Sequence, residues 1–143
     1  MLDFKPRHLQ TNIGEGIRYL TSAIKKRSIT FLISDFLGAG YEDAMKIAAR
    51  KHDFIGVRLY DPRESTLPKI GLMHVVDAET GETVWVDAGD GRIIRRYADW
   101  WKKKADERSK IFRRNGVDVI DIRIDQSYIR PLINFFRARG KRW

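Results

Sequence analysis

The sequence predicts an α/β domain: a Rossmann-like, doubly wound and mostly parallel sheet with an inserted β-hairpin. Three observations predict it. Residues Ser28 to Phe36 form an almost continuous apolar run, rich in β-branched and aromatic side chains. Such a run reads as a strand buried on both faces of a parallel sheet. Helical patterns flank it on both sides, as layers of helix over a parallel sheet require. Lastly, each predicted parallel strand runs into a carboxylate, at Asp35, Asp61 and Asp125.

Taken in order, residues 1–10 carry no periodicity and read as an irregular lead-in containing Lys5-Pro6-Arg7-His8. Thr11 stands at a helix N-cap position, followed by Ile13, Ile17, Leu20 and Ile24 at helical spacing. Lys25-Lys26-Arg27 fall in the expected last turn, where cations complement the helix dipole. Gly14 and Gly16 each cost about 1 kcal/mol against Ala inside a helix. They make sense where another backbone or a ligand comes close.

After the Ser28–Phe36 strand, Gly38-Ala39-Gly40 breaks the chain. Tyr41 to Lys51 predicts a second helix with Ala44, Ile47 and Ala48 inward. Asp53 to Tyr60 reads as the second strand, with Ile55, Val57 and Leu59 alternating, and Asp61-Pro62 stops it. Leu72 to Val76 and Thr83 to Val86 predict a hairpin within residues 72–87, with Gly81 at positive φ in its turn. From Arg92 to Asn115 the residues Ile93, Ile94, Tyr97, Trp100, Trp101, Ala105, Ile111 and Phe112 mark the buried stripe of a long helix. Asn115-Gly116 is its expected C-terminal cap. Val117 to Ile124 is the last parallel strand. Ser127 to Arg139 is a final amphipathic helix with Ile129, Leu132, Ile133 and Phe136 as its stripe. No linker divides residues 1–143, which read as a single domain.

Composition narrows the function. With 43% hydrophobic and 33% charged residues, the chain fits a soluble globular protein and lacks the signature of disorder. It holds no cysteine, which excludes disulfides and thiolate metal sites. No apolar run approaches the length of a membrane span, and no signal peptide is visible, so the expectation is a cytoplasmic protein. Lys and Arg total 28 against 19 Asp and Glu, a formal net charge of +9 that favours an acidic partner.

Right-handed crossovers would bring Asp35, Asp61 and Asp125 to one edge of the sheet, with Thr11 facing it. A hydroxyl among carboxylates suits Mg²⁺ or Mn²⁺. A metal-dependent hydrolase or phosphotransferase is therefore one reading, although no general acid or base accompanies the carboxylates. His8, His52 and His74 show no ligand spacing and read as surface or turn histidines. The serines have no nucleophile-elbow context and Gly38-Ala39-Gly40 is no phosphate loop. Trp100-Trp101 beside Lys102-Lys103-Lys104 raises nucleic-acid binding, but helical spacing assigns the tryptophans to the buried stripe and makes that reading the weaker one.

Here the residues reach a family. Thr11-Asn12-Ile13-Gly14-Glu15-Gly16-Ile17, the basic helix end and Phe31-Leu32-Ile33-Ser34-Asp35-Phe36 resemble the later part of a von Willebrand factor A domain. Leu59-Tyr60-Asp61-Pro62-Arg63-Glu64, Leu67-Pro68-Lys69-Ile70-Gly71 and Asp77-Ala78-Glu79-Thr80-Gly81-Glu82 sharpen this to a resemblance to bacterial DUF58 proteins, from about Phe4 to the basic C-terminal helix. In A domains a metal-ion-dependent adhesion site joins an Asp-x-Ser-x-Ser loop, a Thr and a strand-end Asp. Thr11 matches the second part and Asp35 the third. The first is absent from this sequence. The resemblance thus implies the C-terminal part of a longer protein, with an incomplete site in this chain and Mg²⁺ or Mn²⁺ only in the full-length one. It also implies a non-enzymatic module for binding other proteins, working with a MoxR-type AAA+ ATPase. In the A-domain topology the Asp-x-Ser-x-Ser strand pairs with Ile29 to Ser34. Without it, strand 28–34 becomes an edge, expected either to pair with a second copy as a homodimer or to be covered by residues 1–10.

Overall fold

A computed structural model describes residues 12–76 and 81–141 of the chain. Its centre is a three-stranded parallel sheet ordered β1-β2-β5, formed by β1 (Ile29–Ser34), β2 (Asp53–Tyr60) and β5 (Asp118–Arg123). Ile29 lies beside Asp53 and Ser34 beside Arg58, while Ile55 lies beside Asp118 and Tyr60 beside Arg123. The expected mixed α/β class and the parallel strands are therefore present. The hairpin, β3 (Leu72–Val76) and β4 (Thr83–Asp87), forms a separate antiparallel sheet. Its turn residues 77–80 lie outside the described residues, but Gly81 has the expected positive φ of 73°.

Helices α1 (Ile13–Ala23), α2 (Glu42–Lys51) and the second half of α3 (Gly91–Arg114) cover one face of the main sheet. That core joins Ile13, Ile17, Met45, Ala48, Phe54 and Phe112. Small side chains on α2 let it lie close to the sheet. Gly56 does the same for α3, because a Cβ there would stand 2.5 Å from the buried Phe112 ring. The close approach expected at Gly14 is also real: a Cβ there would meet the Gly40 carbonyl oxygen at 3.1 Å. At Gly16 nothing comes near.

Helix α4 (Ile129–Gly140) covers the opposite face, setting Leu132 and Phe135 on Ile55, Val57, Ile120 and Ile122. Arg139 at its end forms ion pairs with Asp53 and Asp118, which fastens the helix to the starts of β2 and β5.

Several expectations are corrected. The N-cap of α1 is Asn12, whose side-chain oxygen accepts the Glu15 N–H at 3.0 Å, and Thr11 lies outside the described residues. Helix α1 ends at Ala23, before Lys25-Lys26-Arg27; instead Lys51 donates to the Thr21 carbonyl and supplies the cation there. Ile47 points outward, and Met45 takes the inward place because it lies three residues before Ala48 on the packed face. His52 is buried, not superficial, with its Nδ1 3.1 Å from the Ser28 hydroxyl. Trp100 is 46% exposed, because only the second half of α3 reaches the main sheet. Strand β1 is not buried on both faces either. Among the described residues it is an edge, and Ile29, Phe31 and Ile33 are 65%, 44% and 62% exposed.

Candidate functional site

Because β1, β2 and β5 run parallel, Asp35, Asp61 and Asp125 all follow strands that end on one edge of the sheet. Each carboxylate is held locally. Asp61 caps the 3-10 turn Pro62–Ser65, accepting the Arg63 N–H at 2.9 Å and three further hydrogen bonds from the Arg63 guanidinium. Asp125 accepts two from Arg123, at 3.0 and 2.8 Å. In both cases the arginine's hydrogen bonds hold the carboxyl below its ordinary pKa. Asp61 and Asp125 feel one another's charge, so these four residues make one cluster of alternating sign. It is a stable, charge-matched surface rather than an open carboxylate pair.

Asp35 belongs to a different group. Its Oδ1 accepts the Leu37 N–H at 3.1 Å, while the Ser34 hydroxyl accepts the Phe36 N–H at 3.1 Å. This tight turn puts Phe36 at φ 56°, an uncommon conformation for a bulky residue. The turn is held by burial of the Phe36 ring, edge-on to Phe112 and Tyr41 at centroid distances of 5.0 and 5.9 Å. A cleft of about 310 Å³ opens beside it, lined by Gly38, Gly40, Asp43, Lys104 and Arg108. Burial, together with the charge of Arg58, lowers the pKa of Arg108, and burial raises that of Tyr41. Arg108 falls on the buried stripe of α3, three residues after Ala105 and four before Phe112, and only its charge read as solvated. Among the described residues, no three His, Asp or Glu side chains group closely enough to hold a metal ion.

A second feature lies on the α4 face. Phe31, Ile33, Leu59, Ile124, Tyr128 and Leu132 line an open, almost wholly apolar groove of about 600 Å³ beside the β1 edge. Phe136 extends it, its ring 6.3 Å from that of Phe31. The alternation of Ile29, Phe31 and Ile33 was the signal for it, read instead as burial.

Comparison with known proteins decides the family. Residues 1–109 match the sequence profile described as a protein of unknown function, DUF58. The chain belongs to the DUF58 family. Relatives with curated sequences include an uncharacterized protein of Mycobacterium avium, 27% identical over 142 residues, spanning 95% of this chain and 80% of the relative. Uncharacterized proteins of Mycobacterium bovis and Mycobacterium tuberculosis are each 22% identical over 147 residues, which is 95% of this chain but 43% of theirs. This DUF58 chain thus spans less than half the length of those two relatives. No solved structure matches it. Among the described residues no helix is long and apolar enough to cross a membrane.

Proposed function

We propose that this DUF58 chain is a von Willebrand factor A-like protein-association module, not an enzyme, that acts in the cytoplasm with a MoxR-type AAA+ ATPase. The observation that carries this is the apolar groove beside α4, bordered by the half-exposed Phe31 and Phe136. Exposed apolar patches of this kind mark association surfaces. Asp61 and Asp125, in contrast, are neutralised by their own arginines, which suits a scaffold better than a hydrolytic centre.

The test uses the purified chain and a purified MoxR-type ATPase from the same genome. Binding is expected, and Leu59→Asp in the groove should abolish it without changing the fold. Calorimetry with Mg²⁺ and Mn²⁺ should give no tight site. Divalent-dependent hydrolysis of a phosphomonoester, lost in Asp61→Asn, would replace this reading with the hydrolase.

Trp100 favours a second reading, nucleic-acid binding. Its exposed ring has the Lys104 ammonium 5.8 Å from the centroid, the pairing of stacking surface and cation that single strands use. A salt-sensitive gel shift abolished by Trp100→Ala would support it.

A further inference from the structure

We infer that the cleft between the start of α2 and the second half of α3 is a carboxylate-binding site with Arg108 on its floor. It takes a small zwitterion, whose cationic end lies at an acidic rim. This goes beyond the association module proposed above, since the site is separate from the apolar groove beside α4.

Arg108 is only 9% exposed. A guanidinium buried this far is costly unless an anion pairs and hydrogen-bonds with it. Among the described residues Arg108 has neither an ion pair nor a side-chain hydrogen bond, because the carboxylates whose charge it feels are already engaged. Asp121 pairs with Arg58, and Asp35 accepts the Leu37 N–H. The largest charge effect on Arg108 comes from Arg58, another cation. Yet Arg108 is reachable: it lines both the cleft of about 310 Å³ and an adjoining one beside Val119 and Asp121. Strands β2 and β5 therefore lie beneath it, and the edge that an A-like topology would fill is on the far side of β2.

The start of α2 borders the same cleft. Its N-cap, Tyr41, places no side-chain acceptor on the first turn, so the leading N–H groups of the helix are left for another acceptor. The helix dipole favours a negative group there. An unpaired buried cation and an uncapped helix start thus meet across one small space, and both call for an oxyanion. The rim decides which. Glu42, Asp43 and Glu107 are exposed around it and outnumber Lys104. They repel a phosphate dianion and attract an ammonium group. A planar carboxylate, in contrast, fits the guanidinium fork through two parallel hydrogen bonds, and its single charge neutralises the single cation of the floor. The volume sits at the small end of the range for ligand cavities, which suits a free amino acid.

Calorimetry of the full chain with free lysine should show saturable binding, weaker with acetate or butylamine, which carry one charge each, and none with inorganic phosphate. Arg108→Met should weaken lysine binding by at least about 100-fold. The same variant, without ligand, should melt at a higher temperature, because methionine removes an uncompensated buried charge. Arg108→Lys keeps the charge but loses the fork, and should bind about tenfold more weakly. The wild type gives a readout that needs no variant: lysine should move the Arg108 Nε–H resonance and leave that of Arg113 in place. A lower melting temperature in Arg108→Met, tighter binding of phosphate than of lysine, or no response to lysine would each overturn the inference. Asp3 is the one carboxylate side chain in residues 1–11. A loss of stability in Asp3→Asn that disappears when Arg108→Met is added would make the chain's own N-terminal segment the counterion, and would overturn it as well. Lysine binding by a chain that binds no ATPase supports the site and defeats only the association module.

Discussion

The two faces of the main sheet are built from similar residue types but finished differently. On one, α1, α2 and α3 enclose Met45, Ala48, Phe54 and Phe112 until almost nothing remains exposed. On the other, a single helix covers β2 and β5, leaving Ile29, Phe31 and Ile33 of β1 and Ile129, Ile133 and Phe136 of α4 half in water. Glycines and alanines mark the closed face, because close packing of helix on sheet needs small residues as spacers. Large, unrelieved aliphatics mark the open one. Hydrophobic content alone therefore does not tell a closed core from a half-exposed face.

The sharpest contrast is between phenylalanines on the two faces. Phe112→Ala should cost about 3–5 kcal/mol, since it empties a packed site. Phe136→Ala, half exposed, should cost about 1 kcal/mol. Urea unfolding of both variants measures the difference, and similar losses would mean that the α4 face is as well covered as the other. Next in size is Gly56→Ala. A methyl group there meets the Phe112 ring, which is itself buried and has no room to retreat. The resulting overpacking should destabilise by about 1–3 kcal/mol. A neutral result would loosen the account of how α3 approaches the sheet. On the open face, Ile133→Gln should stay within about 0.5 kcal/mol of the parent. A larger loss, read as a fall in the melting temperature, would place Ile133 in a buried interface.

The smallest expected effect concerns pH. The Asp61 and Asp125 carboxyls titrate below their ordinary range because of their arginine partners. Their folded pKa lies below the unfolded value, so they stabilise the fold above about pH 4, and that contribution fades as pH falls through the folded value. Asp125 is exposed and Asp61 is partly covered, both at the surface beside an arginine partner, and the effect should be slight. Comparing the acid limb of the stability curve for the parent and for Asp61→Asn with Asp125→Asn tests it. An unchanged limb would remove the ion pairs from the account.

The alternation of helix and strand, the hairpin with its Gly81 turn and the Gly116 cap at φ 64° were all legible in the sequence, because each follows from local periodicity or a positive φ. The strand-end positions of Asp35, Asp61 and Asp125 were legible too, from direction alone. The partners were not. Arg63 and Arg123 take up two of those carboxylates through contacts at i and i+2, a spacing that carries no pattern against ordinary turn composition. Arg108 was invisible because an arginine on a helix reads as a solvated face until another element is packed across it. The run Ile29 to Ile33 was misread for a related reason. An apolar strand looks the same whether a neighbour is present or still to come.

Helix α3 has a mechanical consequence. Its 24 residues make a beam of roughly 36 Å. Near one end Phe112 is seated against Gly56 of the central strand. Near the other, Ile93 and Tyr97 adjoin Val75 and Val86 of the hairpin, and the Tyr97 hydroxyl donates to the Glu64 carbonyl. The Pro62–Ser65 turn, which leads out of the central strand β2, is thus tied to the far end of a beam whose near end is seated on that same strand. A displacement of the turn reaches β2 at two places, directly through the chain and again through the Phe112 seat.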